Sequence, residues 1–261
     1  MGKRVRLPWK YLLLIAVFAI ALLFVVVFLQ AAAFRRESEY HRYHYDVFIS
    51  APSLLENCTL LLPVPSVGNK SLLGEALVRG EGYSVPPGWN LSLAQVNDTP
   101  VLGISAPAIV PGYHGYPIRV EPGGTPGETP PPASTTWSQG TPVLIPIDFG
   151  VALMVPESIG TREPVGREPL LTDPVYLAPA PCRGPAGSAH CYRYPAPVFV
   201  QCSPGSAGNL TLSISAGGTN QWWMGGWSGN SYQENIGVTL EDPSQGWIMA
   251  DGFLSTGTGR S

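Results

Sequence analysis

Twenty-four consecutive residues, Tyr11 to Phe34, carry no charge and are dense in Leu, Ile, Val, Phe and Ala. At about 1.5 Å per residue, a helix of that length spans roughly 36 Å, enough to cross a hydrocarbon core of about 30 Å with some tilt. A helix satisfies its own backbone hydrogen bonds inside lipid, so residues 11–34 are expected to form one transmembrane signal-anchor helix. The flanks set its direction. Lys3, Arg4, Arg6 and Lys10 precede it, whereas Arg35 and Arg36 are offset by Glu37 and Glu39. Residues 1–10 are therefore expected in the cytoplasm and residues 35–261 outside the cell membrane. The alternative is a cleaved secretory signal, because Ala31-Ala32-Ala33 satisfies a small-residue cleavage rule. The apolar stretch exceeds the roughly 7 to 15 residues usual for such a signal, and both readings export the bulk of the chain.

Charge excludes one class of partner. The formal net charge of −3 hides an uneven distribution: after Arg36 there are nine basic against eighteen acidic residues. Binding a phosphate backbone needs a basic stripe that releases counterions, so no nucleic acid is expected. Export is supported by the asparagines. Asn57, Asn69, Asn90, Asn97 and Asn209, five of the eight, lie in Asn-x-Ser/Thr sequons, the acceptor pattern of a glycoprotein. Pro100 directly after Thr99 weakens the case for Asn97.

The exported part reads as mainly β. Tyr43, Tyr45, Val47 and Ile49 alternate with His44, Asp46, Phe48 and Ser50, Leu210, Leu212 and Ile214 alternate with Asn209, Thr211 and Ser213, and Leu91 and Leu93 alternate with Asn90 and Ser92. That period of two belongs to half-buried strands. Ile236 to Leu240 leads through a Pro/Gly turn into Trp247 to Leu254, a hairpin. With 30 glycines and 28 prolines in 261 residues, an all-helical bundle is disfavoured and an antiparallel β-sandwich-like ectodomain is expected. Residues 121–142, crowded with Pro, Gly and Thr, are expected to be a loop or linker. Residues 156–190 are similarly irregular, and the tandem from Arg162 to Leu170 reads as a solvated charged loop.

Four cysteines outside the cell allow three pairings. Cys182 with Cys191 closes a short loop and is favoured, which leaves Cys58 to bond Cys202 and tie the two sides of 121–142 into one unit. No CxxC or HxxxH spacing is present, so no metal is expected. Nothing in the chain points to a catalytic group or a cofactor. His41 and His44, three apart on a strand, point to opposite faces; His114 lies in a tyrosine-flanked turn; phosphate loops and dinucleotide fingerprints are missing. Gly226-Trp227-Ser228-Gly229-Asn230 has Asn230 where a nucleophile elbow needs glycine. Asp148 and Asp251 are the acids most embedded among apolar neighbours, which keeps an extracellular hydrolase as the third option.

The remaining candidates are aromatic. Trp222, Trp223 and Trp227, with Trp247 and Asn230, could stack on and hydrogen-bond to sugar rings, although adjacent Trp222 and Trp223 must face opposite ways in a strand and at least one should be buried. The basic leading anchor, Leu60-Leu61-Leu62-Pro63-Val64-Pro65, the turn Gly112-Tyr113-His114-Gly115-Tyr116-Pro117 and the Trp222–Asn230 stretch together resemble uncharacterised single-anchor surface proteins of methanogenic archaea. That resemblance implies a setting and no activity. The expectation is a non-enzymatic, membrane-anchored surface glycoprotein in contact with the membrane and with cell-envelope glycans or other surface proteins. A carbohydrate-binding module is the second reading.

Overall fold

The computed structural model describes residues 9–114, 117–118, 136–137, 143–182, 190–203, 208–243 and 246–259. Helix α1 (Trp9–Ser38) holds the uncharged run and continues four residues past Phe34. Between Ala16 and Ser38 its mean hydropathy reaches 2.7, the apolar window is not buried within the chain, and only the C-terminal end of the helix meets the rest of the protein. A helix apolar on every face has no soluble use for that surface, so α1 is long and apolar enough to be a membrane anchor.

A single residue, Glu39, separates α1 from β1 (Tyr40–Ser50), and β2 (Leu55–Pro63) follows. Ser71 caps α2 (Leu72–Ala76) by accepting from the Gly74 amide at 3.0 Å, and a π turn over Leu77–Glu81 extends that helix. Next come the hairpin β3 (Asn90–Val96) and β4 (Thr99–Ile109), and the short strands β5 (Gly112–His114), β6 (Pro117–Ile118), β7 (Thr136–Trp137) and β8 (Val143–Ile145). The long elements that remain are β9 (Ile147–Val155), β11 (His190–Gln201), β12 (Leu210–Trp223), β13 (Trp227–Leu240) and β14 (Gly246–Gly259), with the two-residue β10 (Ala178–Pro179) before β11. Apart from Thr136 and Trp137, the expected linker at 121–142 lies outside the described residues.

The protein is mainly β, and the sandwich-like layering arises within one antiparallel sheet. Its order is β3-β4-β2-β11-β14-β13-β12-β1-β9, with β10 on β11. Strands from both sides of 121–142 share this sheet. Right-handed twist curls a sheet of this width, and three contacts show how far. Tyr45 Oη on β1 donates to the Pro63 carbonyl at 3.1 Å, across five places in the strand order. Tyr83, ahead of β3, exchanges backbone hydrogen bonds with Gly150 on the opposite edge strand, and the Trp89 and Phe149 rings meet edge to face at 5.9 Å. The interior receives every second residue: Tyr45, Val47, Ile49, Leu210, Leu212 and Ile214 are all at most 1% exposed. Each such aliphatic side chain contributes roughly 1.5–3 kcal/mol by leaving water.

Two disulfides, Cys58–Cys202 and Cys182–Cys191, join all four cysteines. Such bridges persist in oxidising compartments and are rare in reducing ones.

Residues 156–172 depart from the expected solvated loop. Arg162, Glu163 and Arg167 do face solvent, but Ile159, Leu170 and Leu171 are buried, and the segment plugs one end of the curled sheet. Leu170 pairs its backbone with Ser66, Tyr232 Oη donates to the Pro169 carbonyl at 2.8 Å, and Tyr43 Oη donates to Glu168. A few apolar anchors at irregular spacing hold it, so no period in the sequence announces it.

Glycine decides one close approach in the interior. A Cβ on Gly252 would stand 2.2 Å from the Tyr194 ring, which lies across β14 from β11. Gly252→Ala is expected to lower stability by about 2 kcal/mol, the overpacking range, with a matching fall in thermal midpoint. An unchanged midpoint would show that the ring has room to move.

Candidate functional site

The β12–β13 hairpin ends beside α1. Trp223 and Trp227 form its last pair, and Met224, Gly225 and Gly226 make the loop, with Gly225 at φ 72. That left-handed conformation suits glycine because no Cβ opposes it. Alternation splits the adjacent indoles: Trp222 is buried at 4% exposure, whereas Trp223, Met224 and Trp227 are 42%, 59% and 62% exposed. The Arg35 guanidinium of α1 lies 4.9 Å from the centre of the Trp222 ring, a cation–π contact. The Trp227 ring meets Tyr40 at 5.9 Å and Trp223 at 5.8 Å, both edge to face.

On one side of this hairpin lies an open depression of about 360 Å³, lined by Thr219, Gln221, Trp227, Ser228, Asn230 and Thr258 among others. Its lining holds one indole, two amides and several hydroxyls, and no titratable side chain. Gln221 Oε1 accepts from Tyr40 Oη. This surface offers stacking and neutral hydrogen bonding, and supplies no acid, base or nucleophile stronger than a plain hydroxyl.

The structure brings together Trp222, Trp223, Trp227 and Asn230 but leaves Trp247 apart. Gly259 pairs with Asn230, and Trp247 lies twelve residues back along β14, roughly 40 Å at strand rise, where its ring meets Phe199 at 5.4 Å. Asn230 also has an internal duty. Its Oδ1 accepts from Thr161 Oγ1 at 2.9 Å and from Asn220 Nδ2 at 2.8 Å. Asn220 in turn binds both backbone groups of Ile159 and the Nδ1 of His41, so these amides fasten the plug.

All five sequon asparagines are exposed. Asn69 sits in a surface turn, Asn90 opens the edge strand β3, and Asn97 with Asp98 makes the positive-φ turn of the β3–β4 hairpin. Asn57 and Asn209 lie at the end of the body away from α1, where Asn57 Nδ2 donates to Ser203 Oγ at 2.9 Å. Among the described residues no group of three His, Cys, Asp or Glu side chains is placed to share a metal ion. Asp148 and Asp251 are both exposed and have three strands between them in the sheet. The Asp148 carboxyl is raised by partial burial and by Asp46 across the β1–β9 pair.

One notable residue escaped the sequence reading. Glu234 is fully buried; its Oε2 accepts from the Leu171 amide at 2.7 Å, and its Oε1 has no hydrogen-bond partner. Tyr194 Oη lies beside it, near enough to affect its ionisation but outside hydrogen-bond geometry. Burial pushes the carboxyl up to about 8, and the Leu171 amide and Tyr194 hydroxyl, which favour the charged form, offset only part of that. The signal was in the alternation: Tyr232, Glu234 and Ile236 share one phase, so an inward carboxyl was legible there.

No known family, curated protein or solved structure matches this chain.

Proposed function

We propose that this chain is a single-pass, membrane-anchored surface glycoprotein, with residues 1–10 in the cytoplasm, and that its β body acts by contact and not by catalysis. The observation that carries the reading is the direct junction of an all-apolar helix to a body locked by two disulfides. The five exposed sequons and the acidic excess after Arg36 support it. The resemblance to anchored surface proteins of methanogenic archaea agrees with that setting. In intact cells, a membrane-impermeant amine reagent is expected to label Lys70 and to spare Lys3 and Lys10, and glycan removal is expected to raise electrophoretic mobility. Labelling of Lys3 and Lys10 with Lys70 protected would overturn the orientation.

A second reading has its own observation, the neutral depression beside Trp227. A carbohydrate ring would stack on the indole while Gln221, Asn230 and Thr258 receive its hydroxyls. On a glycan array, Trp227→Ala is expected to abolish binding, since losing one stacking surface costs the order of 1–3 kcal/mol, up to about a hundredfold in affinity. A native chain that binds no glycan removes this second reading.

A further inference from the structure

We infer that the β12–β13 hairpin tip, Trp223 to Trp227, is a lipid-docking wedge seated in the outer headgroup layer of the same bilayer that α1 crosses. The inference rests on the anchor reading of α1 and goes beyond it. Helix and tip are joined at two depths. The Trp223 amide donates to Ser38 Oγ at 2.8 Å, while Trp223, Met224 and Gly225 enclose a groove with Ala31 and Phe34. By helical rise, Phe34 and Ala31 lie about 6 Å and 10 Å below Ser38 along the axis. The polar layer of one leaflet is about 5–8 Å thick. The tip therefore passes the level of Arg35 and Arg36 and reaches the edge of the hydrocarbon.

Chemistry agrees with that depth. Three large apolar side chains stand exposed within five residues that carry no charge, a concentration of surface that water disfavours. From Tyr194 to Gln233 the sequence has no charged side chain, so lowering the tip desolvates no ion. Tryptophan is the residue that favours the membrane–water boundary, and methionine adapts to irregular apolar neighbours. Arg35 and Arg36 at this level are suited to lipid phosphates, with Glu37 and Glu39 following them on the side toward the body.

The test uses the full chain in phospholipid nanodiscs, carrying an environment-sensitive fluorophore on a single added cysteine at Met224, Val26 or Met249 in turn. Met249 is exposed on the far part of β14 and Val26 is central in α1. Nitroxide-bearing phospholipids are expected to remove most of the emission at Met224 and Val26, with a blue shift at both, and to leave Met249 unaffected. Aqueous iodide should quench Met249 alone. If Val26 responds to lipid nitroxide and Met224 responds to iodide, the wedge is wrong and the anchor stands. If Met224 is shielded from both quenchers, a second copy of the chain covers the tip and the proposal fails. Iodide quenching at both Met224 and Val26 overturns the anchor and the wedge together. Repeating the measurement at Trp227 guards against a local effect of the label at Met224.

Discussion

Raising the pH from 5 to 8 is expected to remove roughly 3 kcal/mol of folding stability through Glu234 alone. Its carboxyl keeps a proton up to about pH 8 in the folded protein and loses it near pH 4.5 once unfolded. Between those values the folded state binds more protons, so stability is greatest on the acid side and falls as pH rises, by up to about 1.4 kcal/mol per pH unit. His44 works in the opposite direction. Burial lowers its pKa below 6.5, so its contribution is lost as pH falls below that value. Glu234→Gln separates the two. The amide keeps an acceptor for the Leu171 N–H, places a donor toward Tyr194 and cannot ionise. The variant is expected to be more stable than the parent at pH 8 by several kcal/mol and to lose the decline between pH 6.5 and 8 in chemical-denaturation curves. A parent curve flat over that range would mean that Glu234 has a polar escape route to water.

Replacing both Cys58 and Cys202 with alanine is expected to cost about 5 kcal/mol, against about 3 kcal/mol for Cys182 and Cys191. The difference follows from the separations, 144 and 9 residues, because closing a longer loop removes more unfolded-state entropy. Location adds to it. β2 and β11 share only three pairs, Leu61–Phe199, Leu60–Val200 and Thr59–Gln201, and the Cys58–Cys202 bridge occupies the next rung. It clamps the shortest ladder joining the β3-β4-β2 part to the rest of the sheet. Hydrogen exchange in the double variant should quicken first in β2 and β4; uniform acceleration throughout the sheet would contradict a local clamp.

Much of this architecture is legible in the residues. Tyr45, Val47 and Ile49 on β1, and Leu210, Leu212 and Ile214 on β12, announce strands because a half-buried strand repeats every two residues, a purely local property. The apolar run of α1 is equally local. Strand order is a different matter: β1 lies between β12 and β9, partners 98 or more residues away, and no local pattern carries that information. The candidate site suffered from the same gap. Residue type grouped Trp247 with the other indoles, but the β13–β14 hairpin carries it to the opposite end of the body. The plug at 156–172 is hidden because it has neither period, and its hold comes from Asn220, Tyr232 and Glu234 on strands elsewhere.

The one-residue junction at Glu39 has a mechanical consequence. Because β1 begins at Tyr40 and is paired along eleven positions with β12 and nine with β9, a pull on the helix enters the sheet through a strand held on both sides. Both ladders must then give way, unlike an edge strand, which is held by one. Rotation or tilt of the helix is passed directly to the body, which makes this molecule a stiff mast with a fixed bearing and not a buoy on a line.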